Sequence, residues 1–130
     1  MGLIRAAIEL SNACDKTRWI REIVLVKNNV YWMLINERIR DQLDLYGEYK
    51  REVQLEDGRI VECDVAGPLT IRFAGIQTCC TAVVLPGDSE PILGRFPMEA
   101  MDLMIHPATQ DLIVNPERPS LRLPGVRLLQ

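Results

Sequence analysis

Apolar residues along this chain fall in many short alternating runs, and the four-residue spacing of a helix shows in only two places. Residues 3–10 and 19–26 are rich in Ile, Val and Leu and flank the polar, turn-forming residues 11–17, which predicts a hairpin with a long loop. Asn36 is a residue type whose side chain caps helices, and Ile35, Ile39 and Leu43 recur four apart, so a short amphipathic helix is expected over 36–45. From Glu52 the pattern returns to period two through Val53, Leu55, Ile60 and Cys63. Asp57-Gly58 interrupts it with the dipeptide that suits tight hairpin turns.

Gly67-Pro68 and Gly75 punctuate two further strands over 69–73 and 77–85, ahead of the turn Pro86-Gly87-Asp88-Ser89. The apolar triplet Pro91-Ile92-Leu93 ends at Gly94. Pro97 follows where the first turn of a helix tolerates a missing N–H, and Met98, Met101 and Leu103 supply a buried side. Met104-Ile105 and Leu112-Ile113-Val114 flank 106–110 as a second hairpin, and His106 is a turn residue there. The remainder, 115–130, carries Pro116, Pro119 and Pro124 among apolar residues and reads as an extended arm or edge strand. One internal echo is present: Leu25-Val26 and Ile92-Leu93 are each followed by a turn and a short helix.

A length of 130 residues, 48% of them hydrophobic and 25% charged, suits a single domain with one core over 1–130. The net charge of −3 excludes a general nucleic-acid binder, which needs clustered Lys and Arg against phosphates. No apolar run approaches the ~18 residues of a bilayer span, and residues 1–6 lack a signal-peptide core. A cytoplasmic protein with no membrane partner is expected. Cys14, Cys63, Cys79 and Cys80 contain no Cys-x-x-Cys pair and share one histidine, so no metal site or other cofactor is expected. Cys79 and Cys80 would point to opposite faces of a strand. Tyr31-Trp32-Met33-Leu34 offers either an exposed interaction patch or core packing. Core packing is the expectation, with Trp32 at a domain or dimer edge.

This order of elements resembles the retropepsin-like (clan AA) aspartic proteases, specifically their small single-domain prokaryotic members. The most specific pieces are Leu55-Glu56-Asp57-Gly58-Arg59-Ile60-Val61, similar to the family's flap hairpin, and Ile92-Leu93-Gly94 with residues 95–103, similar to its second loop and helix. The resemblance implies a mainly β fold: a retropepsin-like closed β-barrel domain with one or two short helices. It also implies a homodimer, because in that family each subunit contributes one Asp-Thr-Gly or Asp-Ser-Gly. Two carboxylates close together share one proton, so one activates water while the other polarises the scissile carbonyl.

Counting back from the helix, that tripeptide falls on Lys27-Asn28-Asn29. None of Asp41, Asp44, Asp57, Asp64, Asp88, Asp102 and Asp111 is followed by Thr-Gly or Ser-Gly, so no catalytic residue is assigned. Two ammonium groups ~4 Å apart on a twofold axis would repel by about 4 kcal/mol at an effective dielectric of about 20. Lys27-Asn28-Asn29 is then either an ordinary polar turn, in which Asn tolerates positive φ, or an anion-binding site for a carboxylate. The implied function is a catalytically inactive pseudoprotease acting as a dimeric peptide- or protein-binding module. The alternatives are an active or heterodimer-dependent aspartic peptidase and a regulatory subunit of a homologous active chain.

Overall fold

The computed structural model describes residues 2–116, 122–123 and 126–127. Its elements run β1 (Arg5–Asn12), β2 (Asp15–Val26), β3 (Leu34–Asn36), α1 (Glu37–Leu43), β4 (Tyr46–Gln54), β5 (Ile60–Phe73) and β6 (Ile76–Leu85). Then follow β7 (Ile92–Leu93), α2 (Arg95–Ala100), β8 (Leu103–Ile105), β9 (Leu112–Val114), β10 (Arg122–Leu123) and β11 (Val126–Arg127). The fold is mainly β with two short helices, as the alternating pattern predicts. Seven strands form one sheet in the order β1-β2-β7-β3-β6-β5-β4, and β1 also pairs with β5. β2 with β7 and β3 with β6 are parallel, whereas the other pairs in this sheet are antiparallel.

Three local expectations are corrected. The first hairpin has no long loop: its strands reach Asn12 and resume at Asp15 around a turn at Ala13-Cys14. The polar residues satisfy the turn instead of extending it, since Asn12 Oδ1 accepts the Cys14 N–H at 2.8 Å and Asp15 accepts the Thr17 N–H and hydroxyl at 3.1 and 2.6 Å. Gly67-Pro68 does not separate two strands, because β5 runs through it with a register shift between Ala66 and Leu69. On one edge β5 pairs first with β4 and then with β1. Pro68, which has no N–H to give a ladder, accepts the Ala13 N–H at 3.0 Å.

The first helix is shorter than its spacing suggests, and Ile35 belongs to β3. Asn36 caps it as expected, its Oδ1 accepting the Ile39 N–H at 2.9 Å, and its Nδ2 also donates to the Ser89 carbonyl at 2.8 Å. At the other end Asp44 adopts φ 51°, and its N–H returns to the Arg40 and Asp41 carbonyls, which closes the last turn. Asn12 Nδ2 donates to the Leu43 and Asp44 carbonyls at 2.9 and 3.2 Å, so a buried asparagine sits at each end of α1.

The main core gathers Leu10, Val24, Ile35, Ile39, Leu43, Leu69, Ile71 and Leu93, all fully buried. Each such side chain contributes roughly 1.5–3 kcal/mol of transfer free energy. The unbroken apolar run 82–85 is explained by β6 burying both faces: Ala82 and Val84 enter this core, while Val83 and Leu85 join Cys63 and Val65 in a second cluster. β8 and β9 form the expected hairpin, with His106 Nδ1 accepting the Ala108 and Thr109 N–H groups in its turn. Most of the arm expected over 115–130 lies outside the described residues; within its described part β10 and β11 pair with each other. Among the described residues no helix is long and apolar enough to cross a membrane.

Candidate functional site

The two echoed segments lie side by side. β2 and β7 are parallel with Leu25 opposite Ile92 and Val26 opposite Leu93, and the turn after each strand meets the other. The Lys27 N–H donates to the Leu93 carbonyl at 3.1 Å, while the Val30 and Tyr31 carbonyls accept the Arg95 and Phe96 N–H groups at 2.6 and 2.9 Å. Those two donors open α2, where a helix has no intrahelical acceptor for them. Gly94 sits inside the clasp at an ordinary φ of −89°, and a Cβ there would collide with the carbonyl oxygens of Val30 and Trp32. Its glycine is required by close approach, a structural duty. The structure thus joins Lys27-Asn28-Asn29 to Ile92-Leu93-Gly94.

Lys27 is mostly covered, with its side chain 27% exposed, and its Nζ lies 3.7 Å from Glu56 Oε1. Glu90 is close enough to feel the same ammonium. The hydrogen bond from Arg5 holds the Glu90 carboxyl below the usual carboxylate range, and the charges of Arg5 and Lys27 add to it. Asn28 and Asn29 are exposed, and among the described residues their side chains have no hydrogen-bond partner. Positive φ outside glycine occurs at Asp44, Ala74, Asp102 and Gln110, so the tolerance of asparagine for that region is not used in this turn.

Glu56 arrives from the tip of the β4–β5 hairpin. Gly58 donates to the Leu55 carbonyl at 2.9 Å and takes φ 90°, the left-handed value that disfavours a side chain. Asp57 accepts the Arg59 N–H and Nε at 3.0 and 2.7 Å; these two bonds hold its carboxyl below the usual range. Asp57 and Gly58 therefore shape the tip, and Glu56 reaches out from it. Farther down the hairpin the Arg51 guanidinium lies 4.6 Å from the centre of the Trp32 ring. The hairpin touches the 27–33 segment twice, through residues whose sequence pattern marks them only as polar.

Tyr31 and Trp32 meet edge to face at 5.1 Å, Phe96 lies 5.7 Å from Tyr31, and Arg95 lies 5.3 Å from the Tyr31 ring centre. The expectation of core packing holds for Met33, at 1% exposed, and fails for Tyr31, at 42%, while Trp32, at 36%, lies at the domain's edge. Backbone bonds to α2 hold this loop outside the sheet, so its rings face outward. They line an open groove of about 240 Å³ with Met33, Cys79, Cys80, Thr81 and Phe96. Cys79 is exposed, whereas burial pushes the half-buried Cys80 thiol up to about 12, which disfavours its thiolate.

No family model matches this chain, and no curated protein matches it.

Proposed function

We propose that this chain is a retropepsin-like domain, closed into a barrel, that lacks aspartic-protease chemistry and binds extended peptide beneath its β4–β5 hairpin as a cytoplasmic homodimer. The circuit of pairings from β1 through β2, β7, β3, β6 and β5 back to β1 supports the barrel. Free cysteines suit a reducing compartment. Exposed Leu3, Ile23 and Ile60 offer apolar surface for a second copy to cover.

The observation that carries the proposal is the position of Lys27, at the end of β2, clasped to Leu93 and overlain by the hairpin tip through Glu56. An ammonium there cannot share a proton as a carboxylate pair does. Peptide capture asks for less. An added strand is held by main-chain hydrogen bonds, and the groove lined by Tyr31, Trp32 and Phe96 offers its side chains an apolar surface.

Two measurements test this. The purified protein is expected to cleave no aspartic-protease reporter peptide, and Lys27→Asp alone to restore none, because Asn28 and Asn29 remain. Turnover suppressed by a statine-type transition-state mimic overturns the inactive assignment. A capped neutral nonapeptide of alternating Gln and Leu is expected to bind saturably and its backbone N-methylated form not to bind. Equal binding of the two overturns the strand-addition mode, and a monomer at all concentrations in sedimentation overturns the homodimer.

A further inference from the structure

Resting on that peptide-binding proposal, we infer that the groove selects an acidic segment, with carboxylates meeting Arg51 and Arg95 and apolar side chains seated against Tyr31, Trp32 and Phe96. The choice of charge follows from how this chain uses its arginines. Arg5, Arg18, Arg21, Arg38, Arg40 and Arg59 each lie within 4.0 Å of a carboxylate. Among the described residues Arg51, Arg72 and Arg95 have no such partner, and of these Arg51 and Arg95 rest on ring faces, at 4.6 and 5.3 Å. A guanidinium held against a ring still presents N–H donors at its edge, in the planar fork that suits a carboxylate.

One of these cations rests on each ring of the Tyr31–Trp32 pair, on a chain whose net charge is −3. No charged residue lines the groove itself, and the two rings that carry the arginines both line it. Two arginines without a carboxylate partner thus adjoin an aromatic groove on an acidic chain, and Trp, Tyr and Arg are enriched among the residues that dominate binding energy at interfaces. An extended segment turns successive side chains to opposite sides. Acidic residues at alternate positions then reach the arginines while apolar neighbours enter the groove.

The experiment compares three capped nonapeptides of alternating Glu and Leu, Gln and Leu, and Lys and Leu. Binding is followed by tryptophan emission in a Trp19→Phe background, which leaves Trp32 as the reporter. The Glu peptide is expected to bind at least tenfold tighter than the Gln peptide, with the Lys peptide weakest. Arg51→Gln and Arg95→Gln, both at exposed positions, are each expected to weaken the Glu peptide several-fold and leave the Gln peptide unchanged. Equal affinity for the Glu and Gln peptides, or indifference of both arginine variants, overturns the acidic preference and leaves peptide binding standing. Failure of all three peptides overturns both proposals. Trp32 emission that follows protein concentration alone, in step with dimer formation in sedimentation, assigns the patch to a second copy and overturns the inference.

Discussion

Lys27 Nζ lies 3.7 Å from Glu56 Oε1, joining the turn after β2 to the tip of the β4–β5 hairpin. Glu56 is 96% exposed, so water screens the pair and its contribution falls within the roughly 0–1 kcal/mol of surface ion pairs. The cation–π contact of Arg51 with Trp32 adds about 0.5–1 kcal/mol. Among the described residues these two weak side-chain contacts join the hairpin to the segment.

Removing either charge is expected to loosen the hairpin tip without unfolding the domain. In Glu56→Gln and Lys27→Gln, amide exchange over residues 54–60 rises, and the loss of global stability stays below about 1 kcal/mol. Added salt reproduces the effect in the native chain. Exchange over those residues that is unchanged in both variants and in salt removes the latch.

Gly94 and Gly58 are expected to respond differently to alanine. At Gly58 the added Cβ meets open space and the cost comes from φ 90°, about 1 kcal/mol. At Gly94 the Cβ meets the Val30 and Trp32 carbonyls, and the cost lies at the top of the overpacking range, about 3 kcal/mol or more. Urea unfolding of both variants checks the order, and equal losses contradict the clasp.

Asn36→Ala removes the α1 cap and the bond to Ser89 from a site 1% exposed, with an expected loss of about 2–3 kcal/mol. Asn12→Ala strands the Leu43 carbonyl and the Cys14 N–H, with a loss of similar size. Surface Arg38→Ala serves as a control below about 1 kcal/mol, although Arg38 bonds Glu22 at 2.7 Å. An Asn36→Ala loss no larger than the control's contradicts the buried cap.

Glu90 titrates below its ordinary value of 4.5 because Arg5 hydrogen-bonds the carboxylate. The unfolded chain then binds more protons in that range, so the contribution is complete above pH 4.5 and disappears as pH falls through the lower folded value. Glu90→Gln is expected to be less stable than the native chain at pH 7, with the gap narrowing below pH 4.5. A gap constant from pH 7 to pH 3 in urea midpoints contradicts the assignment.

Much of the architecture is legible in the chain itself wherever a short segment carries its own instruction. Asn36 at a helix start, Asp57-Gly58 between alternating runs and Ile92-Leu93 before a turn and helix each announce a local conformation. Polar residues mislead where they satisfy a turn internally, as Asn12 and Asp15 do, and Gly67-Pro68 misleads because β5 changes partner there without ending. Of the candidate site, Lys27 and the two turns are visible as positions, whereas Glu56, Arg51 and Arg95 carry no signal beyond surface charge.

Backbone preference and side-chain period act over a few residues, and so the sequence alone determined a mainly β chain, two short helices, the Asn36 cap of the first and the glycine turn. The tertiary structure alone decided that Leu25 lies beside Ile92, that Lys27 meets Glu56, and that Tyr31 and Trp32 face outward. Those outcomes depend on which strands pair across long separations. An apolar or charged residue records that it needs a partner, and only the folded sheet supplies which one.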